Sequence, residues 1–79
     1  MTPAQCRAAR SLLGIEQEAV AASANVARAT LIDFEKGRRV PRQSTIDAIR
    51  TALEFFGVEF IAENDGGAGV RLKERKKNV

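Results

Sequence analysis

Arg28 and Ile32 stand one helical turn apart, as do Ala29 and Asp33, so a helix through them turns all four to one side. Leu31 and Phe34 then fall on the opposite side. A cation, a small residue, an outward apolar residue and a carboxylate on one free flank suit the edges of nucleic-acid bases. Arg28, near the start of the helix, fits a bidentate contact to guanine O6 and N7, worth about 1–3 kcal/mol of discrimination. Ala29 is small enough to meet a thymine methyl or to let the helix approach closely. Ile32 suits a thymine methyl or, equally, a contact with the loop at 38–41. Asp33 repels phosphate, so it either accepts from cytosine N4 or steers a neighbouring basic side chain.

The next residues suit phosphate. Lys36, Arg38, Arg39 and Arg42 crowd seven positions directly after this helix. Gln43 and Ser44 follow where a loop meets a helix N-terminus, whose N–H groups favour anions. Thr30 is expected at the groove edge, against phosphate or a base. A second basic group, Arg71 to Lys77, adds non-specific attraction or serves as a solubilising tail. Each phosphate neutralised makes binding more sensitive to salt.

Other chemistries find little support. The 79 residues hold one small core, and there is no His, so the commonest acid–base group and metal ligand is missing. No nucleophile–base pair is readable, so an enzyme is not expected, and no cofactor or metal is implied. A single Cys excludes an internal disulfide. Cys6, in a helical pattern with Ala9, reads as a small core residue in preference to a redox group. No apolar run reaches the ~20 residues of a membrane span, and there is no signal-peptide core, so a cytoplasmic location is expected.

The positioning elements follow from punctuation. Thr2, Pro3 and Gln5 match a capping box, with proline at the first helical position. The first helix carries a core stripe of Cys6, Ala9, Leu12 and Leu13 and stops at Gly14. A second helix runs from about Gln17 to Ala24, with Val20, Ala21 and Ala24 inward. Asn25 makes the turn because it tolerates positive φ. The third helix runs from about Ala27 to Lys36, before Gly37. Pro41 keeps 38–43 out of helical space. A fourth helix is expected with Ser44 as N-cap and Asp47 three residues on, buries Ile46, Ile49, Leu53 and Phe56, and closes at Gly57. Two helices with a tight turn and a free flank on the second form the unit that enters a DNA major groove.

From Val58 the apolar period becomes two. Residues 58–73 read as a β-hairpin turning at Asn64-Asp65-Gly66-Gly67, with Glu59 and Glu63 facing Arg71 and Lys73. Two short strands are marginal alone in water. Phe55, Val58, Phe60 and Ile61 therefore form the expected dimer contact; the alternative is that the hairpin only caps the monomer core. The divisions expected are 1–57 for DNA binding, 58–73 for dimerisation and 74–79 as a basic tail.

Leu13-Gly14, Gln17, Ala21, Thr30-Leu31 and Phe34-Glu35-Lys36-Gly37 together resemble the Cro/CI-type (XRE) helix-turn-helix of lambdoid phage repressors and many small bacterial regulators. The resemblance spans about residues 3 to 56. It implies a mainly α fold, a four-helix lambda-repressor-like domain, here followed by a short C-terminal β-hairpin. It also implies that Gln17 hydrogen-bonds backbone phosphate and helps orient the first recognition-helix side chain. Arg10 and Glu35 match a family ion pair tying the first helix to the third, a structural element that fixes geometry more reliably than it adds stability. Two departures stand out: Asn25-Val26-Ala27 replaces Gly-Val-Ser across the turn, and Glu16 replaces the Ser or Thr cap. Ala27 cannot cap with its side chain, a loss of ~0.5–2 kcal/mol. Glu16 and Glu18 add negative charge beside the DNA surface.

The function expected is a homodimeric transcriptional regulator, a repressor that reads an inverted repeat in double-stranded DNA with half-sites about one helical turn apart. The rival readings are an antitoxin-like or adaptor module that binds a protein partner, and an architectural or excision factor that bends DNA.

Overall fold

The first helix starts where its cap allows. Thr2 is extended, its hydroxyl accepts from Gln5 N at 3.1 Å, and the Gln5 side chain accepts from Thr2 N at 2.8 Å. Both halves of a capping box are thus present, with Pro3 at the first helical position. The computed structural model describes residues 1–63 and 66–73. In it α1 spans Pro3–Leu13, α2 Gln17–Ala24, α3 Arg28–Glu35, α4 Gln43–Phe56, β1 Val58–Ile61 and β2 Gly69–Leu72. The expected turn at Asn64-Asp65 and the tail at 74–79 lie outside the described residues.

Gly14 ends α1 in the left-handed region, at φ 66°, and Asn25 ends α2 there at φ 56°. These two breaks reverse the chain within a few residues and set α2 against α3. No side chain caps α2 at Glu16 or α3 at Ala27. Packing therefore holds these two short helices, since eight residues are too few to stand alone.

The core is built by Cys6, Ala9, Val20, Ala21, Leu31, Phe34, Ile46, Ile49, Ala52, Leu53 and Val58. Ala21 is buried, and Val26 packs on the core from the turn. Leu31, Ile49 and Leu53 are fully buried. Truncating any of them to alanine costs about 2–5 kcal/mol.

Four expectations are corrected. Leu12 is 46% exposed and lies outside the core stripe. It sits on the same edge of α1 as Gln5, which the hairpin covers at Gln5 but leaves as an open groove at Leu12. Ser44 is not the cap of α4: Arg42, at φ −60° and ψ 155°, holds that place, and the helix begins at Gln43. Asp47 is engaged instead by Gln43, whose amide donates to it at 2.8 Å. Val58 is 1% exposed and belongs to the subunit core, so its side chain is closed to a second copy. Glu63 lies past the end of β1, and Lys73 stands beside Gly57, to whose carbonyl it donates at 2.7 Å.

The strands pair antiparallel, with Val58 opposite Leu72, Glu59 opposite Arg71, Phe60 opposite Val70 and Ile61 opposite Gly69. Glu59 and Arg71 form an ion pair across the strands. The hairpin rests on α1 and α4. Gln5 fixes it at the far end, its amide donating to Ile61 O at 3.3 Å and to Gly69 O at 2.8 Å. Arg50 covers the Phe60 ring at 5.4 Å from its centroid.

Candidate DNA-binding face

Burial along α3 separates a packed side from a free one. Leu31, Phe34 and Glu35 are buried, Arg28 and Ala29 are exposed, and Thr30, Ile32 and Asp33 are half-exposed. The four residues expected to read bases thus lie together on the uncovered flank. Beyond the helix, Lys36, Arg38, Arg39, Arg42, Gln43 and Ser44 are all exposed. No side chain caps α4. The first backbone hydrogen bonds there are made by Thr45 and Ile46, both to Arg42 O, so the N–H groups of Gln43 and Ser44 remain open to an anion.

Asp33 has a partner on its own chain. Its carboxylate lies 3.7 Å from the Arg38 guanidinium, and its carbonyl accepts from Arg38 N at 2.9 Å. Of the two roles open to Asp33, this geometry matches the steering of a basic neighbour. Arg28 shares a groove with Glu16, Gln17 and Glu18, so the first reading residue stands close to the acidic start of α2.

Beneath this face lies a buried carboxylate. Glu35 is 2% exposed. It accepts from Arg10 Nε at 2.7 Å and Arg10 Nη2 at 2.8 Å, a bidentate fork. It also accepts from Gln17 Nε2 at 2.9 Å and from the Cys6 thiol at 3.3 Å. Arg10 further donates to Ile15 O at 3.2 Å, which ties in the α1–α2 loop. Arg7, which the sequence did not single out, donates to the Glu35 carbonyl at the end of α3. One carboxylate therefore joins α1, the start of α2 and the end of the reading helix.

The electrostatics follow from these contacts. Burial works against ionising Glu35, but the hydrogen bonds from Arg10, Gln17 and Cys6, with the charge of Arg10, outweigh it and hold the carboxyl below its ordinary value. Burial first, then the negative charge of Glu35, pushes the Cys6 thiol far above its ordinary value. The hydrogen bonds to Glu35 raise the pKa of Arg10, which stays charged.

Gln17 is thus fastened inward by its amide and is half-buried. The residues expected to form a dimer contact are not brought together. Phe55 lines grooves beside α2 and at the ends of α1 and β2, whereas Phe60 and Ile61 line another beside Met1 and Gln5. Among the described residues no cluster of His, Cys, Asp and Glu could hold a metal, and no helix is long and apolar enough to cross a membrane.

No curated protein sequence matches the chain. The helix-turn-helix family model (HTH_3) matches residues 7–59, which include α2, α3 and α4 whole and α1 except its first turn. With well over half of its length matched, the chain belongs to the Cro/CI-type (XRE) helix-turn-helix family of DNA-binding regulators.

Proposed function

We propose that the protein is a repressor that binds an inverted-repeat operator as a homodimer, one α3 helix in each of two successive major grooves. The observation that carries this reading is the uncovered flank of α3, where Arg28, Ala29, Ile32 and Asp33 lie together beside an exposed basic loop. Arg28 and Ala29 contact base edges, and Ile32 meets a thymine methyl. Arg38, Arg39, Arg42 and the open N–H groups of Gln43 and Ser44 bind phosphates on one side, with Lys36 and Thr30 at the groove edge. Gln17 contributes its remaining N–H to a phosphate on the other side. The Glu35 hub sets the angle between α2 and α3 before DNA arrives, so little ordering is left for the binding step. Repression follows from occlusion of the promoter.

Selection of sites from a random duplex library, followed by titration of the selected site across salt concentrations, tests the reading. It predicts an inverted repeat, a steep salt dependence and relaxed specificity at one position for Arg28→Ala. Salt-sensitive binding with no sequence preference would overturn it and turn attention to a protein partner.

A further inference from the structure

The described residues expose five large apolar side chains: Leu12, Val40, Phe55, Ile61 and Leu72. Three of them converge. Leu12 from the end of α1, Phe55 from the end of α4 and Leu72 from the end of β2 line one groove of about 700 Å³, floored by Leu13, Phe56 and Gly57. Phe55 stands 82% exposed at its edge, with its ring edge-on to Phe56 at 6.0 Å. Three separate elements deliver apolar side chains to one place on the surface, which is the mark of a contact face.

We infer that this groove is where two copies of the chain meet, with Phe55 of each copy seated against Leu12 and Leu72 of the other. The inference rests on the homodimer reading above and assigns its surface. Charge favours a second copy as the occupant. The rim carries Glu54 and Lys73, one of each sign, on the same groove. A two-fold contact presents the same patch twice, which allows each Glu54 to stand opposite Lys73 of the other copy in two equivalent pairs. Glu54 already holds an exposed pair with Arg50 one turn back at 3.3 Å, worth little in water, and a wholly acidic or wholly basic partner would meet one of the two rim charges as its own sign. Residues 74–79 of the chain itself, Glu-Arg-Lys-Lys-Asn-Val, offer one apolar side chain and cannot fill the groove. None of the groove residues belongs to α3 or to the basic loop, so the contact leaves the reading face free.

Sedimentation equilibrium without DNA tests this on the full chain. Wild type is expected to be dimeric, and Phe55→Asp to raise the dimer dissociation constant about tenfold or more. Its helical circular dichroism stays unchanged, because an exposed side chain is replaced. Glu54→Lys and Lys73→Glu each weaken the dimer by like-charge opposition, and an equimolar mixture of the two restores it as a heterodimer. A dimer indifferent to Phe55→Asp, or no recovery on mixing, overturns the assignment. A wild-type monomer that still selects one sequence from a random duplex pool overturns the contact while leaving the sequence reader standing. An intact dimer without sequence selection overturns the reader and leaves the contact.

Discussion

The amide of Gln17 donates to Glu35 Oε1 at 2.9 Å, so the first residue of α2 is fastened to the last residue of α3. Arg10 holds the same carboxylate from α1. The relative placement of the three helices that form the reading unit is therefore encoded in polar contacts around a group with almost no solvent. Such a group is costly to leave unpaired. Arg10→Met is expected to destabilise the fold by about 3 kcal/mol in urea unfolding, because it strands a buried carboxylate. Glu35→Gln, whose amide oxygen still accepts from Arg10, should cost less. Equal losses for the two variants would show that the charge of Glu35 is not what the site was built around.

The same carboxylate sets an acid limit. Its folded pKa lies below its unfolded value, near 4.5, so its contribution is complete above that value and is lost as pH falls through the depressed folded one. Stability should therefore decline more steeply below about pH 4.5 in wild type than in Glu35→Gln. The pH dependence of the urea midpoint checks this. Parallel curves for the two proteins would count against it.

Cys6 has no exposed surface and donates to Glu35, and its thiol is pushed up by burial and by that carboxylate. The thiolate is the reactive form. Labelling of native protein by a disulfide reagent at neutral pH should therefore be limited by unfolding, and should speed up in Arg10→Met. A fast reaction with unchanged circular dichroism would mean that α1 opens without global unfolding.

The helices and the turn at Asn25 were legible because caps, glycines and apolar spacing all act locally. The side chains on the free flank of α3 were legible for the same reason. What the sequence hid depends on contacts far along the chain. Gln5 reads as half of a capping box, and nothing nearby indicates that its amide also holds Ile61 and Gly69 of the hairpin. Leu12 matches the spacing of the α1 stripe, yet no element arrives to cover it. Val58 reads as a contact residue because strand alternation gives a face without saying whether the subunit's own core or another chain covers it. Ser44 lost its capping role to a competition, since Gln43 engages Asp47 one turn on. An alternation rule or a propensity sees one partner at a time and cannot rank such rivals.

The Gln5 contacts make a test of how the hairpin is held. Gln5→Leu keeps most of the volume but removes the side-chain donor that the Ile61 and Gly69 carbonyls accept in addition to their ladder bonds. Losing such a hydrogen bond costs about 0.5–1.5 kcal/mol. The loss should fall on the hairpin: amide hydrogen exchange in 58–61 and 69–72 should accelerate, while that of Leu31 and Leu53 changes little. Uniform acceleration across the chain would indicate that hairpin and helices open as one unit.

Asp33 offers the sharpest separation of two roles on the reading face. Its carboxylate lies 3.7 Å from Arg38, both groups partly exposed, so the pair adds little to stability. Its consequence lies in where Arg38 points. If Asp33 aims Arg38 at a phosphate, Asp33→Ala loosens that contact on every sequence alike and makes the salt slope shallower by about one phosphate. The base preferences of the selected site then stay as they were. If Asp33 instead accepts from cytosine N4, the same substitution relaxes preference at one base pair and leaves the salt slope intact. The 3.7 Å approach and the backbone bond from Arg38 N to Asp33 O favour the first outcome. Arg38→Ala should reproduce the loss, and the double variant should be no weaker than either single one, since both act through the same phosphate.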